Sequence, residues 1–349
     1  MRHFDIEPPS VAAMAAAQKR WDSIAKPLHS LGVLEDDIVA IAGIAGSDRF
    51  SIKKRCLIAM CADNGVVAQG VTQTSSEITS VVTENFAKGC TSVCAMARRA
   101  GAEVIPVDIG VKRRPVAEGI VDRNLMRGTY DFTKGPAMAQ ATAEKAVETG
   151  IEMVRLAKEQ GYELIATGEM GIGNTTTSSA VGAVLLSIPV EEATGVGAGL
   201  DKEGLMRKKD AIRRGIELNR PDKDDAIDVV SKVGGLDIAG MAGVFIGGAL
   251  YRVPVLIDGV ISAVAALVAV RLVPACRDFM IASHSSKEPL GRTLLESLGK
   301  KPLIDCGMCL GEGTGAVATM PLLDMAKAVY DDMCTFAETN LDQYEELDG

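Results

Sequence analysis

The chain has 349 residues, which is long enough for one large domain or two. Its 46 Asp and Glu residues outnumber the 37 Lys and Arg residues, and the net charge of −9 argues against a protein that neutralises the phosphates of a duplex. Aromatic residues make up only 4%, so a surface of stacked rings for RNA is not expected either. With 47% apolar and 24% charged residues, the composition is typical of a globular protein with an ample core and no nucleic-acid partner.

Nothing in the sequence predicts export or a membrane span. The N-terminus lacks a basic region followed by an apolar run. The longest uncharged apolar stretches, at 238–251 and 259–270, are shorter than the ~20 residues that a membrane helix needs. We therefore expect a cytoplasmic protein of enzyme size, with no membrane partner.

Taken in chain order, the elements alternate between two kinds. Short continuous apolar runs predict buried parallel strands at 56–62, 104–109, 164–167, 253–257, 279–282 and 303–304. Longer segments with a helical period predict helices at 10–24, 77–88, 91–99, 138–159, 175–186, 202–218, 222–233, 237–250, 260–272, 288–298 and 315–337.

This alternation predicts an α/β fold, a Rossmann-like parallel sheet flanked by helices on both faces. The first 45 residues look entirely helical, so we expect residues 1–45 and 316–349 to form a smaller helical subdomain. Residues 46–315 would then form the large α/β domain that carries the active site. The acidic end, 342–349, is most simply a solvated tail.

Carboxylates follow or close four of the predicted strands. Asp63 and Glu169 come directly after a strand, whereas Asp108 and Asp258 close one. Because ligands bind beyond the carboxyl ends of parallel strands, this edge is the expected site. Each of these carboxylates could equally cap the next helix.

The segment 167–177 carries three glycines and runs straight into a predicted helix. Gly171 and Gly173 would let the backbone approach a ligand, and Asn174 or Thr175 would cap the helix, whose free amides suit a phosphate. A tight, well-capped turn explains the same residues. No Walker A string occurs in the sequence.

Two further segments bear on chemistry. Gly195-Val196-Gly197-Ala198-Gly199 lacks the third spacing of a dinucleotide fingerprint, which disfavours a nicotinamide dehydrogenase and makes a plain loop the simpler interpretation. Most of the charge on the helix that follows is a solvated face, and one of its lysines, Lys208 or Lys209, could reach an anion. In Leu310-Gly311-Glu312-Gly313-Thr314-Gly315, a lone carboxylate stands among glycines at a helix start, so Glu312 is our first choice for an essential base.

The thiols and imidazoles predict no metal site. Cys306 and Cys309 form a CxxC, but no second pair accompanies them, and the three histidines are isolated in the sequence. We therefore expect reduced, structural thiols. His284 follows a strand end, where a hydrogen-bonded, half-buried histidine is a simpler interpretation than a catalytic one.

Five ordered motifs carry a resemblance to one family. They are Cys61-Ala62-Asp63-Asn64-Gly65-Val66, Gly168-Glu169-Met170-Gly171-Ile172-Gly173-Asn174-Thr175-Thr176, Lys232-Val233-Gly234-Gly235, Val255-Leu256-Ile257-Asp258-Gly259 and Leu310-Gly311-Glu312-Gly313-Thr314-Gly315. From about residue 10 to residue 340 the chain resembles the nicotinate-nucleotide:dimethylbenzimidazole phosphoribosyltransferases, the CobT family.

The resemblance implies a dimeric α/β enzyme without a cofactor or metal. Such an enzyme transfers phosphoribose from nicotinate mononucleotide to an aromatic base, giving an α-ribotide and nicotinate for the nucleotide loop of cobamides. By position Glu312 matches the base, and Glu169 and Lys208 match charged residues near the nucleotide. The residues expected to bind the two substrates are Glu169, Gly171, Gly173, Asn174, Thr175, Thr176, Gly197, Lys208, Asp258, Ser283, Gly313, Thr74 and Val82.

The chain also departs from the family pattern. Asn64 stands where histidine is usual, Thr74 where a serine can occur, and Val82 where a glutamine can contact the acceptor. Loss of that amide leaves a less discriminating wall, so the acceptor could be dimethylbenzimidazole, another benzimidazole, a purine or a phenol such as p-cresol. The alternative is a non-catalytic or half-active subunit that pairs with a paralogous chain rather than forming a homodimer.

Overall fold

A computed structural model of the protein describes residues 4–344. Its strands are β1 (Arg55–Ala62), β2 (Ala102–Gly110), β3 (Val121–Asp122), β4 (Leu164–Met170), β5 (Val255–Ile257) and β6 (Met280–Ala282). They form one parallel sheet in the order β3-β2-β1-β4-β5-β6. This is the strand order of a doubly wound Rossmann sheet, so the predicted fold class is confirmed.

The helices lie on both faces and at one end of the sheet. They are α1 (Val11–Ser23), α2 (Val33–Ala45), α3 (Glu77–Ala87), α4 (Ser92–Ala100), α5 (Gln140–Glu159), α6 (Asn174–Leu186), α7 (Val190–Ala193), α8 (Lys202–Asn219), α9 (Ala226–Val233), α10 (Leu236–Leu250), α11 (Val260–Leu272), α12 (Leu290–Ser297), α13 (Thr314–Asp332) and α14 (Phe336–Thr339). Two 3-10 helices cover Gly65–Gln69 and Pro274–Phe279. In the described part of the chain, none of these helices is long and apolar enough to cross a membrane.

Strand β1 occupies the centre of the sheet because it is apolar on both faces. All eight of its residues are buried, and it pairs with β2 on one side and β4 on the other. Burial raises the pKa of its two thiols, Cys56 and Cys61, so both stay protonated within the core. The connections that follow β1 and β4 lead to opposite edges of the sheet, and ligands bind at such a switch point.

Helices α1, α2 and α13 share a hydrophobic cluster away from the sheet. Trp21 of α1 packs edge-on against Tyr330 of α13 with ring centroids 5.3 Å apart, and Ile38 of α2 belongs to the same cluster. The two ends of the chain therefore pack on each other, while the division of the chain at residues 45 and 316 stays a prediction. Of the predicted acidic tail, residues 345–349 lie outside the described part.

Three details differ from the sequence-based elements. The predicted strand at 303–304 is wrong: Leu303 N and Ile304 N both donate to Ser283 O, so only one bridge forms, between Ile304 and His284. The long C-terminal helix ends at Asp332, and α14 follows separately. Strand β3 has two residues, which is too short for a periodic pattern to reveal.

Candidate active site

A cleft of about 340 Å³ opens at the carboxyl ends of the strands, beside the switch point between β1 and β4. It is surrounded by the loops after β4, β5 and β6, the loop at 196–200, the loop at 71–74, the middle of α3 and the loop before α13. The predicted site residues that line it are Thr74, Val82, Glu169, Gly171, Gly173, Asn174, Thr175, Gly197, Asp258 and Glu312. One cleft therefore collects residues from positions 74 to 312.

Glu312 reaches the cleft from a strained backbone position. Its φ is +63°, in the left-handed region, which costs a non-glycine residue about 1 kcal/mol or more. Its N–H donates to Glu169 Oε1 at 3.3 Å, and its Oε2 accepts a hydrogen bond from Val93 N at 2.9 Å. Val93 lies in the first turn of α4, so the carboxylate of Glu312 faces the N-terminus of α4. Among the described residues, no group donates a hydrogen bond to Glu312 Oε1.

Glu169 lies inside β4 rather than after it, and it belongs to a buried hydrogen-bond chain. Asn174 donates through Nδ2 to both Glu169 Oε2 and Asp237 Oδ2, the latter at 3.1 Å. Burial, and then the charge of Asp237, raises the pKa of Glu169 to about 8, and burial raises the pKa of Asp237 to about 6. No local sequence pattern points to Asp237, because it lies 63 residues from Asn174.

The predicted capping of α6 by Asn174 or Thr175 is wrong. The N-cap is Gly173, whose φ is +92°, and no side chain caps this helix. Asn174 is instead committed to Glu169, and Thr175 Oγ1 accepts a hydrogen bond from Lys208. In this first turn Asn174 N donates to Gly171 O and Thr176 N donates to Gly173 O, which leaves Thr175 N without an acceptor among the described residues.

Asp258 is held as a cap of α13. Its Oδ2 accepts from Gly313 N at 3.1 Å, and its Oδ1 accepts from Gly315 N at 2.8 Å and Ala316 N at 3.0 Å. Burial raises its pKa, and the nearby His284 acts in the opposite direction. Asp258 therefore fixes the loop that carries Glu312.

Lys208 of α8 lies directly behind the cleft wall and is fully buried. Its Nζ donates to Thr175 Oγ1 at 2.8 Å and to Gly195 O at 3.1 Å, and no carboxylate of the described chain pairs with it. Burial lowers its pKa to about 8, because nothing nearby fully compensates the charge. A side chain at Gly197 would lie 2.7 Å from Thr175 Oγ1 and 3.2 Å from Lys208 Nζ, so glycine leaves room for this hydrogen-bonded pair beside the cleft.

Three other predicted residues lie outside the cleft lining. Gly313 contributes its amide to Asp258, and a side chain there would overlap Leu57. Ser283 Oγ donates to Ile257 O at 2.5 Å and meets His284 Nδ1 at 3.2 Å. Thr176 is buried on α6, and its Oγ1 has no hydrogen-bond partner within residues 4–344.

Two of the four strand-end carboxylates lie away from the cleft. Asp63 Oδ2 accepts from Lys112 N at 2.7 Å, and Asp108 Oδ1 accepts from Val111 N at 2.8 Å. Asp108 lies within β2, which continues to Gly110, so it does not close the strand. Both carboxylates hold the turn that leaves β2, and neither contacts the cleft.

The sequence interpretation missed several cleft residues. The Gly195–Gly199 segment contributes Val196 and Ala198 to the wall besides the predicted Gly197, although a plain loop was the simpler interpretation of this motif. His284, which is buried, and Glu288 also line the cleft, in the connection that leaves β6. The position of Glu288 after a strand end was the signal available for it.

The sheet is a parallel Rossmann sheet, and its cleft combines a helix start with a carboxylate while a buried lysine lies directly behind the wall. Together these features define an α/β group-transfer enzyme. A family model described as phosphoribosyltransferase, DBI_PRT, matches residues 6–341. The chain belongs to this family and is a phosphoribosyltransferase, a pentosyl-transferring enzyme.

Individual relatives and solved structures agree with the family. A nicotinate-nucleotide--dimethylbenzimidazole phosphoribosyltransferase of Acetivibrio thermocellus is 49% identical over 332 residues, which is 95% of each chain. A protein of the same name from Ruminiclostridium cellulolyticum is 45% identical and covers 97% of this chain and 96% of its own. The crystal structure of CobT from Thermus thermophilus superposes with a TM-score of 0.90 at 36% identity, covering 95% of this chain and 100% of its own.

Proposed function

We propose that the protein transfers phosphoribose from nicotinate mononucleotide to an aromatic base, with release of nicotinate. The observation that carries this proposal is one cleft lined by the N-terminus of α6 and the open carboxylate of Glu312, with the buried ammonium of Lys208 directly behind its wall. The names of the relatives support the same donor and suggest 5,6-dimethylbenzimidazole as the acceptor.

The phosphate of the donor would bind beside Lys208. A buried ammonium without a carboxylate partner has an unmet need for negative charge, which a phosphate dianion supplies. The N-terminus of α6 adds partial positive charge, and Gly171 and Gly173 line the cleft there. A side chain at Gly171 would overlap Ala62 O, and one at Gly173 would overlap Val67, so both glycines permit the close packing of this turn. Substrate positioning in this way accounts for a large part of the rate enhancement.

Glu312 would accept the proton that the acceptor loses. As the ring nitrogen of a benzimidazole bonds to C1′, the bond from C1′ to nicotinate breaks and its electron pair neutralises the pyridinium ring. The acceptor's N–H proton passes to Glu312 Oε1, the carboxylate oxygen without a protein donor among the described residues. The leaving group needs no acid, and a single in-line displacement inverts C1′ to the α-ribotide, so one carboxylate suffices. General-base assistance of this kind contributes roughly 10²–10⁴-fold.

Thr74 and Val82 would lie against the acceptor ring. Both line the cleft with Ile172 and Leu310, which gives this part of the wall an apolar character. Dimethylbenzimidazole is the proposed acceptor, and a phenol such as p-cresol fits the same chemistry because its hydroxyl also loses a proton. A competition assay with equal dimethylbenzimidazole and p-cresol decides between them by the ratio of the two ribotides.

The experiment that tests the function uses the purified protein with nicotinate mononucleotide and a panel of benzimidazoles, adenine and phenols. We expect nicotinate and one α-ribotide in equal amounts. If no acceptor gives product with the protein alone, the proposal of a self-sufficient enzyme is wrong. Activity restored by a co-purifying paralogous chain would then identify a hetero-oligomer, and light scattering of the active species would test the proposed homodimer.

A further inference from the structure

The four carboxylates that line the cleft differ in what their oxygens already bind. Both oxygens of Glu169 accept hydrogen bonds, from Asn174 and from Glu312 N. Both oxygens of Asp258 accept backbone amides at the start of α13. Glu312 has one oxygen on Val93 N and the other without a donor among the described residues. Each of these three carboxylates therefore accepts at least one hydrogen bond from the protein itself.

The fourth carboxylate, Glu288, accepts no hydrogen bond from any described residue. It is half-buried in the connection between β6 and α12, next to Ser286, whose Oγ accepts its N–H at 3.4 Å. Its Oε2 lies against Gly195, where a side chain would overlap it. Its charge raises the pKa of Lys208, against the larger effect of burial, so the two groups are close without forming an ion pair.

When a ligand displaces water from the cleft, a carboxylate without protein donors needs hydrogen-bond donors from that ligand. At neutral pH nicotinate mononucleotide offers very few donors: its pyridinium ring has no N–H, its carboxylate is ionised, and its phosphate is largely deprotonated. The two ribose hydroxyls are the donors that remain. They are attached to the same sugar as the 5′-phosphate, and a carboxylate is the group that proteins commonly use to bind ribose hydroxyls.

We infer that Glu288 binds the 2′- and 3′-hydroxyls of the ribose and so selects a ribosyl donor over a deoxyribosyl one. This inference rests on the proposed function, because it takes the donor to be a mononucleotide with its phosphate beside Lys208. Glu288 and Lys208 then hold adjacent parts of one substrate, and Glu312 is left for the acceptor.

A thermodynamic cycle tests the inference without any chemical step. The dissociation constants of nicotinate mononucleotide and its 2′,3′-dideoxy analogue are measured by calorimetry, without acceptor, for the wild type and Glu288→Gln. We expect wild-type affinity to fall about 10- to 100-fold when the hydroxyls are removed, the range for hydrogen bonds to a charged group. In Glu288→Gln this ratio should shrink to within about threefold, since the two changes remove the same interaction.

Two variants sharpen the cycle. Glu296→Gln, on the exposed surface of α12, should keep the full wild-type ratio. Gly195→Ala places a methyl group against Glu288 Oε2 and 2.6 Å from Pro289 Cδ, so it should displace the carboxylate and reduce the ratio without altering its charge.

The alternative role for Glu288 is that of a counter-charge to Lys208. In that case Glu288→Gln would change the affinity for both ligands by the same factor, and an unchanged ratio would overturn the inference while leaving the proposed function intact. If the wild type binds neither ligand, the proposed donor is wrong and the inference fails with it. Wild-type binding of both ligands with equal affinity contradicts the inference alone.

Discussion

Glu169 and Asp258, the buried pair of cleft carboxylates, are 6% and 3% exposed and have their oxygens occupied by the protein. Glu288 and Glu312, the open pair, are half-buried and keep at least one oxygen without a protein donor among the described residues. Glu169 lies within β4 and Asp258 directly after β5, whereas the open pair lies on connections. The buried pair of carboxylates therefore positions the loops of the cleft, whereas the open pair is free to contact substrates.

The largest effect is expected from a substitution in β4 that pushes away the loop carrying Glu312. A methyl group on Gly168 would lie 2.5 Å from Glu312 O and 2.9 Å from Leu57 Cδ2. We expect Gly168→Ala to lower the free energy of unfolding by about 1–3 kcal/mol and transfer activity by at least about 100-fold. Urea unfolding and steady-state rates measure both effects. As the stability control, Gly259→Ala has its nearest contact at 3.6 Å and should lose no more than about 1 kcal/mol, the cost of alanine at the N-cap of α11. Normal activity in Gly168→Ala would show that the buried region does not position Glu312.

Removing the buried ammonium of Lys208 should affect the affinity for the donor more than the free energy of unfolding. We expect Lys208→Met to weaken nicotinate mononucleotide binding by about 10- to 100-fold, because the positive charge directly behind the proposed phosphate site is lost. The free energy of unfolding should change by less than ~1 kcal/mol, since relief from burying the charge offsets the hydrogen bonds lost by Thr175 and Gly195. Calorimetry and urea unfolding give the two values, with the neighbouring Lys209→Met as control. Unchanged affinity would place the phosphate elsewhere.

The buried pair should make stability depend on pH. Because the pKa of Glu169 is raised from 4.5 to about 8, the folded protein binds a proton more tightly than the unfolded chain does. Its contribution is therefore fully present below about pH 4.5 and is lost as the pH rises to about 8. We expect Glu169→Gln to reduce the fall in stability between about pH 5 and 8 by at most about 1.4 kcal/mol per pH unit. Urea unfolding at several pH values checks this, and an identical slope in both proteins would contradict it.

The smallest effect is expected at the exposed thiols. Cys306 and Cys309 are free, and no group of three or more metal-ligating side chains occurs in the described residues. Transferase activity should change by less than about twofold in Cys306→Ser, because this side chain is exposed and outside the cleft lining. Loss of activity in this variant, measured with and without reductant, would support a redox or metal role instead.

The sequence predicts the sheet and part of the cleft for a clear reason. Continuous apolar runs such as β1 and β4 are local patterns, and Glu312 stands out among glycines in a short segment. Other contacts of the site join residues far apart in the chain. They are the hydrogen bond from Asn174 to Asp237, the hydrogen bond from Val93 to Glu312 and the close approach of Glu288 to Gly195. Such contacts depend on how the helices pack, which periodicity does not specify.

The distinction between the two pairs predicts that Glu312 takes part in the chemical step and not in donor binding. The direct measurement is the single-turnover rate of Glu312→Gln at saturating nicotinate mononucleotide and acceptor, together with the dissociation constant of the donor. We expect the rate to fall by about 10²–10⁴-fold and the donor affinity to stay within about twofold of the wild type. A rate within about tenfold of the wild type would contradict the assignment of Glu312 as the base.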